Sequence, residues 1–290
     1  MIIILQHLPQ ETANVYSLVL SAEGISHQVV KSWSGWSIRV DESDAVRAII
    51  GIDQYRMENP KASAQNEALA GQALLQASWC GAWIACALLG IYLATASPAT
   101  HSNIMAALGA SAAKILHGEW FRCATALLIH SSPAHLLGNM VGMAVFGSAV
   151  CGIVGSGVGV FMIAATGIIG NLLNAIFHQS NHLSVGASTA VFGAVGILVA
   201  HQVRHRMKDG GRLTWRTVLP IGAGMALLGF LSGGPRVDLM AHAFGMIAGA
   251  LMGTAYGFWR TRPASWIVQI TATAVTLAIF AGAWISASGG

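Results

Sequence analysis

The sequence predicts an all-α protein that crosses a membrane several times and is preceded by a small soluble α+β domain. Of the 290 residues, 54% are hydrophobic and only 9% are charged, whereas soluble domains carry about 25% charged residues. Residues 123–203 contain no Asp, Glu, Lys or Arg, and a run of this length has room for three spans of about 20 residues each. Residues 1–60, by contrast, mix charged and apolar positions as soluble domains do.

The N-terminal 60 residues are predicted to form the soluble α+β domain, followed by a linker over 61–72. The apolar start of the chain is too short for a signal peptide and is followed by polar sequence. The expected elements, in order, are a helix over 11–20, strands over 28–31 and 35–40, and a helix over 42–57 with Asp41 as its N-cap.

Seven membrane spans are predicted after the linker. The first six belong to a core over residues 73–260, and the last lies in a C-terminal segment over 261–290. A polar, irregular loop is expected over 97–121, between the first two spans. The spans are placed near 73–95, 133–151, 158–177, 186–203, 217–235, 239–259 and 264–286.

Basic residues predict the orientation of these spans. They follow the fourth span (Arg204, Arg206, Lys208, Arg212 and Arg216) and the sixth (Arg260 and Arg262). Positive loops stay in the cytoplasm, so the N-terminus is expected there and the C-terminus outside. Because the positive charges lie in loops and not on one polar domain, the basic pI of about 9.1 indicates membrane orientation and not nucleic-acid binding.

The first candidate site residue is Ser188, in a charge-free stretch of small residues. Phe192 lies one helical turn further on the same face, and Gly186, Gly193 and Gly196 allow another backbone to come close. The alternative is a packing helix whose serine bonds to its own i−4 carbonyl.

The second candidate is His242. From Ala241 a small residue recurs every fourth position, at Gly245, Gly249, Gly253 and Gly257, which favours close helix packing. By the predicted orientation, His242 and Ser188 lie at similar depth near the outer ends of their helices. A histidine beside a serine is the base that a serine nucleophile needs, although a buried structural histidine is the alternative.

Two further clusters carry polar groups. His135 and Asn139 are four residues apart at the start of the second span, where both can donate toward one developing oxyanion; helix–helix hydrogen bonding is the alternative. A metal site at His130 and His135 would need a third ligand, and the sequence contains no H-E-x-x-H motif. The four cysteines are interpreted as packing residues. The last cluster, Glu119-Trp120-Phe121-Arg122, is on its own typical of an interfacial anchor with a snorkelling arginine.

Together these clusters resemble the rhomboid family of intramembrane serine proteases, over about residues 70–260. The resemblance implies a six-helix core with a seventh helix added, and the N-terminal domain is similar to the cytoplasmic domain of some bacterial members. It therefore implies a bacterial inner membrane. The matching features, in family order, are Glu119-Trp120-Phe121-Arg122, His130, His135, Asn139, Gly186-Ala187-Ser188, Ala241-His242, Gly245 and Gly249.

The resemblance implies a Ser188–His242 dyad that cleaves transmembrane segments of membrane proteins, with Phe192 packed against the imidazole. The Ser188 N–H, His135 and Asn139 would stabilise the oxyanion, and the 230–238 loop would cap the site. Asp238 lies nearer the loop than His242, so a dyad is expected and not a triad. No metal, organic cofactor or nucleic acid is implied; lipid and single-span substrates are, and the oligomeric state stays open.

Two alternatives compete with the protease. A catalytically inactive relative that acts in binding or quality control would lose Ser188 or His242, and this chain keeps both. A transporter with a histidine proton relay would explain His130 and His135 but not the matched serine and histidine. The chain departs from the common family pattern in Thr189, where many members have glycine, and in Phe121-Arg122, where Trp-Arg is common.

Overall fold

The chain divides into two compact units, Met1–Ser78 and Trp79–Gly290. The computed structural model describes residues 1–32, 35–59, 79–95, 101–179, 182–208, 222, 238–259 and 264–289.

The N-terminal unit is a three-stranded antiparallel sheet with two helices. The central strand β3 pairs with both others, so that Val40 lies opposite Ile2 on one side and His27 on the other. The order along the chain is β1 Ile2–Leu8, α1 Gln10–Ala22, β2 His27–Ser32, β3 Gly35–Val40 and, after a 3-10 turn over Glu42–Asp44, α2 Ala45–Glu58.

The core of this unit consists of aliphatic residues from the sheet and both helices. Leu20, Ile38 and Val40 are fully buried, and Arg56 of α2 donates from Nε to the Tyr16 hydroxyl of α1 at 3.0 Å. The expected N-cap is wrong in detail: Asp41 precedes the 3-10 turn, and its side chain makes no capping hydrogen bond. Strand β1 was not predicted, because its apolar run shows no alternation.

The second unit is almost entirely helical. Its longer helices are joined by short helical and extended segments. The order is α3 Cys80–Thr95, α4 His101–Leu108, β4 Ala110–Ser111, α5 Ala112–Leu116, α6 Arg122–Thr125, a 3-10 turn Ala126–Leu128, α7 Pro133–Gly142, a π-helical turn Met143–Gly147, α8 Ser148–Val154, α9 Ser156–His178, β5 Leu183–Ser184, α10 Ser188–Lys208, α11 Leu239–Trp259 and α12 Trp266–Ser288.

Among the described residues, four helical segments are long and apolar enough to cross a membrane. They are Pro133–Val154, Ser156–His178, Leu239–Phe258 and Trp266–Ser288, and the apolar helix α3 is shorter. These helices fall on spans that the sequence predicts, and α11 has the predicted bounds of 239–259. The predicted fifth span and the 230–238 loop lie outside the described residues except for Gly222 and Asp238.

Helices α10 and α11 pack closely against each other, through glycines on both sides. A Cβ at Gly249 would meet the carbonyl oxygen of Gly193, and a Cβ at Gly196 would meet that of Met246. The small-residue stripe of α11 therefore lies against α10, as the sequence predicts, because only residues without side chains let the two backbones come so close.

The segment between the first two membrane helices is more ordered than the sequence predicts. The irregular loop expected over 97–121 contains α4, β4 and α5, and β4 pairs with β5 ahead of α10 through Ala110 and Ser184. Arg122 does not snorkel to solvent: it is 3% exposed, contacts Glu119 at 2.6 Å and donates to the carbonyl oxygens of Ala106 and Gly109.

Candidate active site

Ser188 is the first residue of α10 and is only partly buried. Two residues earlier, Gly186 has a φ of +115°, which glycine adopts at low cost, and its N–H donates to the Ala126 carbonyl at 2.8 Å. The first N–H groups of a helix have no acceptor within that helix. The start of α10 therefore presents the Ser188 hydroxyl together with the first backbone N–H groups of the helix.

His242 lies in the first turns of α11 and is 6% exposed. Its ring stacks on Phe192, with ring centroids 4.2 Å apart and an interplanar angle of 7°. Because Phe192 is one turn after Ser188 on the same face of α10, the imidazole lies beside the face that carries the serine.

His135 and Asn139 lie against the turn that precedes Ser188. A Cβ on Gly186 would be 2.6 Å from His135 Nε2 and 3.4 Å from Asn139 Nδ2, so glycine is the residue that fits there. Asn139 also donates to the His135 carbonyl at 3.0 Å. Both side chains therefore direct polar nitrogen atoms toward the backbone next to the serine.

The tautomer of His135 depends on its other ring nitrogen. Nδ1 is 3.1 Å from the Ser131 hydroxyl. If that hydroxyl donates to Nδ1, Nε2 carries the proton and is a donor on the side of Gly186. The main-chain N–H of His135 is held by the Ser132 side chain, which caps α7.

His130 is buried and supports the same turn. Its Nε2 accepts from the Ala187 N–H at 3.4 Å, and its ring packs edge-to-face on His135 at 5.4 Å. A neutral His130 whose Nε2 accepts carries its proton on Nδ1. The described contacts of His130 thus hold the backbone on which Ser188 begins.

Asp238 precedes α11 and binds groups other than the His242 ring. Its carboxylate accepts from the Ala241 N–H at 3.1 Å and from Asn174 at 2.7 Å, and it pairs with His182 at 2.6 Å. Burial alone would raise the pKa of Asp238, but the hydrogen bonds from His182, Ala241 and Ser184 outweigh burial and lower this pKa below its usual value.

Thr189, the departure from the family pattern, fits between two glycines of neighbouring helices. Its Cγ2 would be 2.5 Å from a Cβ at Gly170 and 3.1 Å from one at Gly245, and Thr189 is 1% exposed. The larger side chain therefore does not separate α10 from α11 at this point.

Sequence reasoning missed a cluster of three polar side chains beside the site. His178, His182 and Asp238 offer ligand atoms that all lie within 4.8 Å of one another. His178 and His182 are close in sequence, but Asp238 comes from a distant segment, and a spacing motif could not have linked them.

Comparison with known proteins leads to the same family as the sequence motifs. A family model described as "Rhomboid domain" matches residues 117–259. "Putative rhomboid protease YdcA" of Bacillus subtilis is 30% identical over 138 residues, which cover 48% of this chain and 68% of that protein.

Two further relatives carry related names. "Rhomboid protease GluP" of Bacillus subtilis is 30% identical over 54% of this chain and 30% of that protein. "Rhomboid-like protease 1" of Toxoplasma gondii is 38% identical over 32% of each chain. The apolar helices, the motifs and these similarities together lead to one conclusion: the chain is an integral membrane protein that belongs to the rhomboid family.

Proposed function

We propose that this chain is an intramembrane serine endopeptidase that cleaves peptide bonds in or near transmembrane segments of other membrane proteins. The observation that carries the proposal is the stacking of His242 on Phe192, one turn from Ser188 on the glycine-packed pair α10 and α11. Relatives named rhomboid proteases support the same activity.

In the first step, the Ser188 Oγ attacks the scissile carbonyl carbon and His242 takes the hydroxyl proton. The product is a tetrahedral intermediate with a negative oxygen. Phe192 holds the plane of the imidazole, so that little orientational freedom is lost when the proton moves.

In the second step, the C–N bond breaks and His242 returns its proton to the leaving amine. A water molecule then attacks the acyl-enzyme and His242 takes a proton from this water. The Ser188–acyl bond breaks, and His242 gives its proton to the Ser188 Oγ. The products are a carboxylic acid and the free serine. The partial exposure of Ser188 supports entry of the water.

The oxyanion is stabilised by the Ser188 N–H, His135 and Asn139. The two side chains flank Gly186, close to the first N–H groups of α10. Donors that are fixed before the reaction stabilise the developing charge without the energetic cost of reorganisation. Arg122 and His130 stabilise the segments around this site, and Ala241 and Gly245 keep α11 in place.

The substrate is a transmembrane helix of another protein, with a single span as the simplest case. Its peptide bonds are protected by helical hydrogen bonds, so the helix must unwind locally before Ser188 attacks. Small or helix-breaking residues near the outer membrane boundary of the substrate should therefore be favoured.

The decisive experiment incubates the purified protein with a single-span reporter, beside the Ser188→Ala variant. Cleavage by wild type only is expected. Substantial cleavage by Ser188→Ala would overturn the assignment. A fluorophosphonate probe should label the wild type at Ser188, whereas an inactive relative or a transporter would stay unlabelled.

The proposed orientation places the N-terminal domain, residues 1–60, in the cytoplasm and the C-terminus outside, in a bacterial inner membrane. Its warrant is the basic excess in the last turns of α10 and beyond, and after α11. In a background without native cysteines, a cysteine at position 114 should react with an impermeant reagent added to intact cells. Labelling at position 208 from outside would contradict this orientation.

A further inference from the structure

A cluster of two imidazoles and one carboxylate lies outside the proposed catalytic groups. His178 ends α9, His182 precedes β5, and Asp238 precedes α11. The rings of His178 and His182 stack with centroids 3.8 Å apart and an interplanar angle of 15°. The ligand atoms of the three residues lie within 4.8 Å of one another.

We propose that His178, His182 and Asp238 bind a divalent transition-metal ion of the Zn²⁺ type. Imidazole nitrogen and carboxylate oxygen are common Zn²⁺ ligands, with bonds of about 2.0–2.2 Å. In a tetrahedral site such bonds place the ligand atoms about 3.3 Å apart. The three side chains are therefore close enough to bind one ion after small adjustments, and water fills the fourth position.

The surroundings of Asp238 are those of an oriented metal ligand. One carboxylate oxygen accepts from the Ala241 N–H, and the other from Asn174 Nδ2 at 2.7 Å. Asn174 is 2% exposed, and its Oδ1 is buried without a hydrogen-bond partner among the described residues. Hydrogen bonds of this kind fix the orientation of a ligating carboxylate and increase metal affinity.

Access to the cluster is also suitable for an ion. The side chains of His182 and Asp238 are 28% and 15% exposed. The cluster is therefore partly buried but still accessible to solvent. Asn174 and His178 are four residues apart on one face of α9. This face therefore supplies both a ligand and the amide that orients another ligand.

A simple ion pair between His182 and Asp238 explains the 2.6 Å contact of those two residues. It does not explain why a second imidazole stacks on the first one beside the same carboxylate. One ion bound by all three groups accounts for the second imidazole, and the 2.6 Å contact would lengthen to about 3.3 Å on binding.

The ion is expected to link three segments of the chain beside the proposed active site. The ion would join the end of α9, the segment six residues before Ser188, and the start of α11, where the His242 N–H donates to the Asp238 carbonyl. It is a structural ion and takes no part in the chemistry of the dyad. Because ligand binding to the folded state stabilises that state, added metal should raise the melting temperature.

The test uses the 290-residue chain without a histidine tag, treated with chelator and titrated with Zn²⁺ in detergent. The Ser188→Ala background makes the result independent of proteolysis. We expect one bound ion per chain by calorimetry and a melting temperature that rises with Zn²⁺ concentration. His178→Ala and His182→Ala should each weaken binding about 100-fold or more.

The matched control is His117→Ala, because His117 is an exposed histidine outside the cluster and should leave binding unchanged. His178→Ala removes a stacked ring and leaves the His182–Asp238 pair intact, so it should fold even if His182→Ala does not. No Zn²⁺ binding by the wild type, equal binding by His178→Ala, or equal loss in His117→Ala would overturn the proposal. If Zn²⁺ binds as expected but Ser188 fails to cleave, only the proposed protease activity is wrong.

Discussion

Helices α11 and α12 are both apolar and both long enough to cross a membrane, but they contact the bundle in different ways. Helix α11 packs on α10 through glycines and carries His242. Helix α12 is the more exposed: 11% of its apolar stretch is buried, against 28% for α11. It is attached through Gln269, which accepts from the Val158 N–H and donates to the Val154 carbonyl, both at 2.9 Å.

The difference shows what selects helix partners in lipid. Both helices are hydrophobic, but lipid tails are as apolar as a neighbouring helix, so hydrophobicity does not decide which surfaces meet. Close backbone contact occurs at both helices, since a Cβ at Gly157 of α9 would meet the Gln269 carbonyl oxygen of α12. Helix α12 differs in its greater exposure and in the side-chain hydrogen bonds of Gln269. We infer that the glycine-packed pair provides the fixed geometry that catalysis needs, and that α12 provides anchorage.

The largest expected effect tests whether the chemistry belongs to the glycine-packed pair. Ser188→Ala and His242→Ala should each reduce turnover about 10⁴-fold or more, and the double variant should be no worse, because the two groups act as a unit. Cleavage of the single-span reporter is the measurement. The control is Thr276→Ala, which changes a buried polar residue of α12 that bonds within its own helix. An additive double variant would contradict the dyad.

The second-largest expected effect tests the glycine contact between α10 and α11. Gly249→Ala places a Cβ against the Gly193 carbonyl oxygen, so α10 and α11 must separate slightly. We expect a cost of about 1–3 kcal/mol in stability and a loss of about 10²-fold in turnover, because small misplacements of catalytic groups are costly.

Gly282→Ala on α12 is the matched control for that substitution. A Cβ at Gly282 meets nothing within 4 Å, so turnover and melting temperature should stay close to wild type. Equal losses in both variants would show that the effect of Gly249→Ala does not come from its contact with α10.

A smaller effect is expected at the oxyanion donors. One such donor is typically worth about 10²–10³ in rate, but His135 and Asn139 flank the same glycine, so we expect Asn139→Ala to cost about tenfold in turnover. His135→Ala should behave similarly, and the pair should be less than additive. The measurement is the rate at saturating substrate, with melting temperature as a folding control. If only the melting temperature falls, Asn139 is a helix-packing residue.

The sequence predicted the positions of the four helical segments that are long and apolar enough to cross a membrane, because the length of an apolar run measures a membrane span directly. It failed where structure depends on distant partners. Strands β4 and β5 have two residues each and exist only because Ala110 meets Ser184, and α4 is a short helix inside a segment that looked irregular.

The candidate site could be located because its groups fall in recognisable motifs on predictable helices. The stacking of Phe192 on His242 follows the expected arrangement. The accommodation of Thr189 could not be foreseen, since it depends on Gly170 of a third helix. The cluster of His178, His182 and Asp238 was not predicted for the same reason, because only folding brings its members together.

The smallest effect on catalysis is expected at the attachment of α12. Gln269→Leu removes the partner of both the Val158 N–H and the Val154 carbonyl, and leaving such groups unsatisfied costs about 1–3 kcal/mol each. We therefore expect a lower melting temperature, with reporter cleavage at moderate temperature within about twofold of wild type, a change of less than about 1 kcal/mol. Ser288→Ala is the control, because the exposed Ser288 hydroxyl donates to the Trp284 carbonyl of its own helix. If Gln269→Leu instead reduces cleavage as strongly as Gly249→Ala, α12 takes part in fixing the catalytic geometry, and the division of roles between α11 and α12 is wrong.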